Sequence, residues 1–508
     1  MDKSIVLEDK MVSRGCPLHC DGRHQLTRRD FLYGSAAALA GSSLLTGCAS
    51  LSQPKATVRP MRPCGPAADY VPTIKAAFVR RKEEYGMWWP GAVYDGEAAR
   101  KNYTAQMNQT AKTLRVKLDL RPEPIYSPEE ADAWLAEAKA ANVDGLLVMV
   151  HDRQRHSWPT AIKAAESGIP TVIFSPVGTS FTTNTMLLSD KPGCVIYSTD
   201  DFNQAAYGMK MLAGGAKMRR VRCVVIKGET AFDEPLADLG ITLRYVPAKT
   251  FLEEYNRTPV TDEMLAMTED YLRRARRRTG ATRQDVINGV KSYFIARKIV
   301  EREKADAITM DCLGAIGRTG SKVSLPCIAW SRMNDDRIPA ACEADTGAVA
   351  SHIIVQYLFD RPGFQQDPVA DTVNDAIIGA HCSCPTRLNG FDRPPEPFDL
   401  THHHGNRDAV PRTLWREGQR VTSIDVLPPG HRLNKDGAVS RILISAGTVI
   451  DNVSVPPAGG CVVSVRVRFD GGHDVLDFPG MHQVFFYGDY KRHLREFCKL
   501  FRLEEWVV

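Results

Sequence analysis

Four short stretches of this chain hold acids, imidazoles and thiols in settings where they could do chemistry. Ala341-Cys342-Glu343-Ala344-Asp345-Thr346-Gly347 sets two acids directly before an apolar helical pattern over 348–359. Acids at a helix start offset the positive end of the helix dipole, and that alone accounts for Asp345. Gln366-Asp367-Pro368-Val369-Ala370-Asp371-Thr372 carries an Asp-Pro pair, which reads as a turn. Gly379-Ala380-His381-Cys382-Ser383-Cys384-Pro385 ends the apolar run 376–380, so His381 falls at the carboxyl end of a strand. Binding residues of α/β folds gather at such ends. The Cys-x-Cys beside it has the look of half a zinc site, but a four-ligand site needs a second pair at regular spacing, and none is evident. Phe478-Pro479-Gly480-Met481-His482-Gln483-Val484-Phe485-Phe486 contains a lone histidine, which by itself reads as a structural hydrogen-bonding residue.

The elements that must position these residues are legible as strands alternating with helical patterns. Strands are expected at 74–79, 143–150, 170–174, 221–226, 305–310 and 327–330, with helices near 97–114, 158–168 and through 260–303. Such alternation argues for parallel, doubly wound sheets. Beyond about residue 410 the pattern changes. Val463, Val465, Val467 and Phe469 alternate with Ser464, Arg466 and Arg468, a half-exposed strand of period two. Similar runs occur near 420–426 and 441–446, and a closing helix shows Leu494, Phe497, Cys498 and Phe501 on one face. The expected fold class is therefore α/β: two doubly wound parallel-sheet (Rossmann-like) domains over 70–215 and 216–355, followed by a β-rich C-terminal domain over 356–508.

Taken together, the four stretches resemble the L-fucose isomerase and L-arabinose isomerase superfamily. Cys342-Glu343-Ala344-Asp345 before a helix is similar to the segment with the family's first metal-binding Glu. Asn374-Asp375-Ala376-Ile377-Ile378-Gly379-Ala380-His381, followed by Cys384-Pro385, is similar to the segment with a metal-binding His in the arabinose branch. Gly480-Met481-His482-Gln483-Val484-Phe485 with its closing helix resembles the C-terminal metal-binding His, and the interval from Glu343 to Asp367 resembles the fucose branch. The resemblance covers about residues 305–508. It implies Glu343, Asp367, His482 and His381 as metal ligands, Glu343 and Asp367 as the catalytic acid/base pair, and His381 as a ligand or a polar contact to sugar. Aldose–ketose isomerisation moves a proton between adjacent carbons, so two carboxylates on opposite sides of the sugar can exchange roles through an ene-diol. A divalent cation stabilises the enediolate charge, and a carboxylate–imidazole set suits Mn²⁺ or Mg²⁺. The resemblance also implies a homo-oligomer.

Other positions bear on partners and address. Trp88 and Trp89, in Tyr85-Gly86-Met87-Trp88-Trp89-Pro90-Gly91, follow the first strand; they are either sugar-stacking aromatics or a packed loop. Residues 387–412 read as a Pro-rich loop, containing His402-His403-His404, of a length typical of lids. Thr27-Arg28-Arg29-Asp30-Phe31-Leu32 before a mild apolar segment resembles a twin-arginine export signal, and Leu45-Thr46-Gly47-Cys48 resembles a lipobox that lipidates Cys48. The expected order is a signal over 1–47 and a tether over 48–69, giving an exported protein of the periplasm or cell envelope, in contact with membrane only through a lipid anchor. The 508 residues are 43% hydrophobic and 25% charged, an ordinary globular balance that excludes wholesale disorder, collagen and coiled coil. A net charge of +5, much of it from the run Arg273–Arg278, is read as a solvated helix face and not as nucleic-acid binding. The leading expectation is an exported, metal-dependent sugar isomerase. The alternative is a lipoprotein that binds a carbohydrate without catalysis.

Overall fold

Short apolar runs, fully buried at the centre and partly exposed at the edges, build the first layer. The computed structural model describes residues 60–82, 86–87, 94–153, 156–403, 407–454, 461–472 and 474–508. Strands β1 (Thr73–Val79), β2 (Lys117–Leu120), β3 (Gly145–Val150), β4 (Thr171–Ser175) and β5 (Cys194–Ser198) form a wholly parallel sheet in the order β2-β1-β3-β4-β5. Every residue of β3 is buried, as a central strand covered on both faces requires. The crossovers are α1 (Gly96–Leu114), α2 (Pro128–Ala140), α3 (Ser157–Glu166), α4 (Thr182–Ser189) and, leading out of the sheet, α5 (Phe202–Met218).

The second layer follows the same logic. Its strands are β6 (Arg222–Ile226), β7 (Phe232–Leu236) and β8 (Ile241–Val246). Then come α6 (Ala248–Arg257), α7 (Asp262–Arg274), a three-residue strand β9 (Arg277–Thr279) and α8 (Arg283–Glu303). β10 (Ala307–Met310), α9 (Cys327–Asp335), β11 (Ala340–Cys342) and α10 (Thr346–Phe359) complete it. The sheet order is β11-β10-β6-β8-β7, parallel except for β7.

The remaining strands are β12 (Phe364–Asp371), β13 (Ala376–His381), β14 (Phe398–His403), β15 (Arg407–Thr413), β16 (Arg420–Leu427), β17 (Arg441–Asn452), β18 (Val463–Phe469) and β19 (Gln483–Tyr487). Six of them close an antiparallel barrel in the order β16-β19-β12-β13-β18-β17 and back to β16. The chain ends with α11 (Lys491–Phe501) and β20 (Glu504–Val507), the latter running parallel along β17. Rossmann-like sheets followed by a β-rich region are thus present, and α10 runs across the expected boundary at 355. One apolar core links the parts: Phe78 and Val172 of the first sheet, Val225 and Leu243 of the second, Ile353 of α10, Val484 of the barrel and Phe501 of α11.

Four local expectations are corrected. Residues 327–330 are the start of helix α9, not a strand; Cys327, Ile328, Ala329, Trp330 and Met333 are all buried, and a short apolar run carries no period that separates the two. Residues 387–412 are not one loop: β14 pairs with β15 antiparallel and with β9 in parallel. Pro411 within β15 obscures the pattern, and it is tolerated because β15 is the edge of this three-stranded sheet. Asp367-Pro368 lies within β12 and is not a turn. Pairing of β12 with β19 stops at Gln366, so a residue without an N–H is accommodated beyond it. The arginine run at 273–278 spans the end of α7 and the start of β9 instead of one helix face.

Candidate metal and acid–base site

Glu343 is set by strand β11. That strand ends at Cys342, and the next two residues, Glu343 (φ +63°) and Ala344 (φ +53°), both adopt left-handed backbone. Side chains disfavour this conformation by roughly 1–2 kcal/mol per residue, so the surrounding structure must hold it. The Ala344 N–H donates to the Met310 carbonyl at 2.9 Å, and Asp345 then caps α10 by accepting from the Ala348 N–H at 2.8 Å. The carboxylate of Glu343 thereby emerges at the carboxyl edge of the second sheet. Asp311 stands at the same edge after β10, with one oxygen accepting from the Gly314 N–H at 2.9 Å.

The barrel brings the other groups to this edge. Asp367 comes from β12 and His381 from the last position of β13. His482 precedes β19 at φ +58°, after a left-handed Gly480. His482 Nε2 faces Asp367 Oδ1 at 3.3 Å and Glu343 Oε2 at 3.6 Å, and His381 Nε2 lies 3.9 Å from Glu343 Oε1. The Nδ1 of His482 is 2.9 Å from Asp345 Oδ2. The two imidazole rings meet edge-on with centroids 5.8 Å apart. All four residues picked out in the sequence are therefore brought together. Trp88, Trp89, Cys48, the paired arginines Arg28 and Arg29, and His404 lie outside the described residues.

The two imidazoles are buried, while the side chains of Glu343, Asp345 and Asp367 are about a third exposed, at 29%, 31% and 36%. Burial pulls the His482 pKa down, but the hydrogen bond it donates to Asp345 and the charges of Asp345, Asp367 and Glu343 outweigh it and lift the imidazole to about 9. Burial raises the Glu343 carboxyl, opposed by His482 and reinforced by Asp367, Asp345 and Asp311. Burial likewise raises Asp367 against the pull of His482. Asp345 moves the other way: burial acts upward, and the His482 hydrogen bond and charge bring it below its ordinary value.

The donor set fits a divalent cation. One ligand atom each from Glu343, His381 and His482 lies within 4.8 Å of the others. Asp367 Oδ1 and His482 Nε2 are both buried and neither makes a hydrogen bond. Ligands at about 2.1 Å from a common ion stand roughly 3.0 Å apart at right angles and roughly 4.2 Å apart when opposed. The three separations between imidazole and carboxylate, 3.3 Å for His482–Asp367, 3.6 Å for His482–Glu343 and 3.9 Å for His381–Glu343, fall in that range, while Asp367 stands beside the group of three and not within it. Two residues escaped the sequence reading. Asp345 was visible only as a helix-starting acid, and Asp311 could have been found as an acid directly following a buried strand, as Glu343 is.

Comparison with known proteins adds little to this geometry. No family model matches the chain, and no curated protein matches it. Among solved structures, a periplasmic solute-binding protein from Actinobacillus succinogenes with bound D-allose is 12% identical. It covers 53% of this chain and 76% of its own, at a TM-score of 0.18. A glucose-galactose binding protein from Geobacillus stearothermophilus is 15% identical over 48% of this chain and 78% of its own, also at 0.18. A sugar ABC transporter structure from Yersinia enterocolitica is 15% identical over 60% and 82%, again at 0.18. Likenesses at this level carry no argument about function. Among the described residues, no helix is long and apolar enough to cross a membrane.

Proposed function

We propose that this protein is a metal-dependent aldose–ketose isomerase or a close relative in chemistry, acting on a small sugar. One observation carries the reading: Glu343, Asp367, His381 and His482 converge at the junction of the second sheet and the barrel. The cation, Mn²⁺ or Mg²⁺, would be held by these four residues and would supply Lewis-acid stabilisation of negative charge on substrate oxygen. Of the two carboxylates, one takes a proton from the carbon next to the carbonyl, and the other, as the carboxylic acid, returns a proton to the former carbonyl carbon, while the hydroxyl proton on the first carbon passes to the former carbonyl oxygen. The resemblance to the fucose and arabinose isomerases supports this reading through local sequence alone. Export by the twin-arginine route, a lipid anchor on Cys48 and self-association belong to the same proposal.

The second reading is carbohydrate binding without catalysis. What favours it is the presence of two successive, predominantly parallel sheets, β1–β5 and β6–β8 with β10 and β11. The two readings separate in one experiment. The purified protein is assayed for bound metal and screened against aldoses for ketose formation, with and without chelator. Chelator-sensitive turnover that is abolished in Glu343→Gln and in Asp367→Asn, with the fold intact, supports the isomerase. Sugar affinity indifferent to chelator, with no turnover, establishes the binder.

A further inference from the structure

Asp345 does two things with its two oxygens. Oδ1 accepts the Ala348 N–H at 2.8 Å and caps α10, while Oδ2 meets His482 Nδ1 at 2.9 Å. The two histidine nitrogens therefore have separate fates. Nδ1 is committed to Asp345, and Nε2 is aimed at Asp367 and Glu343 and makes no hydrogen bond. The backbone supports the arrangement from both sides. His482 and Glu343 are held in left-handed conformations, and Asp345 is tied to β11 through its N–H on the Cys342 carbonyl at 3.2 Å.

We propose that Asp345 is the positioning residue of the metal site: it holds the His482 ring by Nδ1 so that Nε2 faces Glu343 and Asp367, and a cation that replaces the Nε2 proton meets a lone pair already aimed at the site. The proposal rests on the metal reading above but is separable from it. A neutral imidazole binds a cation through the nitrogen without hydrogen, and a carboxylate accepting from the other nitrogen keeps the hydrogen there. The same carboxylate starts α10, so the helix that joins the three parts of the fold and the ring that faces the site are set by one side chain.

Two substitutions divide the roles. Asn and Ser cap helices about as well as Asp, so both retain the α10 start. In Asp345→Asn the amide oxygen caps, and the amide N–H donates to His482 Nδ1. That drives the ring hydrogen onto Nε2 and removes the lone pair from the site. In Asp345→Ser the hydroxyl caps but cannot reach the ring. The test titrates the purified full-length chain with Mn²⁺, following the free-ion EPR signal, and compares melting temperatures in chelator. The expected result is a melting temperature within about 3 °C of wild type for both variants, with Kd for Mn²⁺ raised 10- to 100-fold, the range typical for loss of a partner that orients a metal-binding His. Wild-type Kd in both variants overturns the proposal, because a mere helix cap would leave metal affinity untouched. If the wild-type chain itself binds no Mn²⁺, the metal reading fails, and the metal-free crystal structure of Asp345→Ser decides the positioning role. A His482 ring turned away from Glu343 and Asp367 supports it, and a ring held in place overturns it.

Discussion

His482 faces both carboxylates of the site, at 3.6 and 3.3 Å, while the ion pair described for His381 is with Glu343 at 3.9 Å. His482→Ala is expected to weaken Mn²⁺ binding by more than a hundredfold, since each 1.4 kcal/mol of lost ligand interaction is one decade. Titration with the metal alone checks this, and an unchanged Kd would contradict it. At this scale much of the site was readable from the sequence. Taken singly, Glu343, Asp367, His381 and His482 read as a helix-starting acid, a turn, a strand end and a structural histidine, and only the resemblance to a family set them together as ligands of a cation. Asp345 was only half readable. Its capping role depends on the next three residues of the chain, whereas its contact with His482 spans 137 positions and depends on how the barrel docks. Spacing along a chain cannot report that.

Helix α10 is the element through which site and fold depend on each other. Its first turn packs flush on the barrel: a Cβ on Gly347 would stand 2.3 Å from the Val426 carbonyl oxygen, and the Val426 N–H donates to Ser351 Oγ at 2.9 Å. Gly347→Ala is expected to destabilise by about 1–3 kcal/mol through overpacking, read by urea unfolding, and to weaken Mn²⁺ binding by shifting Asp345. His352 on the same helix is fully buried, and neither ring nitrogen has a hydrogen-bond partner. Burial depresses its pKa from 6.5 to about 3. The unfolded chain therefore takes up a proton that the folded one refuses. The neutral ring's full contribution is present above pH 6.5 and is lost as pH falls toward 3, by about 1.4 kcal/mol per unit. An apolar replacement, His352→Met, is expected to make unfolding free energy less sensitive to acid by roughly 2 kcal/mol between pH 7 and pH 5, measured by urea titration at both values. An unchanged pH dependence would show that another group governs the acid response. At the element scale the sequence was legible where burial leaves a period, as in β18 and α11, and illegible where an element is buried all round. Helix α9 was read as a strand for that reason, and β15 was hidden by Pro411.

Among the described residues, one apolar core is shared by all three parts of the fold. The core that begins on the first sheet with Ile74 and Val172 continues through Cys223 and Leu243 of the second sheet. It passes along Val349 and Ile353 of α10 and ends on Ile424, Val484 and the C-terminal helix. That helix closes the circuit. Phe501 lies so tightly on α5 that a Cβ on Gly215 would be 2.1 Å from its ring, Tyr197 at the end of β5 donates to Glu496 at 2.8 Å, and the Gly193 N–H donates to the Lys499 carbonyl at 2.8 Å. The last residues of the chain thus bind the first sheet to the barrel. Unfolding is expected to be one cooperative event, with calorimetric and van't Hoff enthalpies agreeing, although chains of this length commonly unfold domain by domain. Phe501→Ala removes a ring from the joint between barrel and first sheet and is expected to cost about 3 kcal/mol. The consequence that distinguishes a shared core from three adjacent ones is the shape of the transition. With a shared core, Phe501→Ala lowers the single melting temperature by a few degrees. With separate cores, it splits the calorimetric trace, leaving the first sheet to melt at one temperature and the barrel at another.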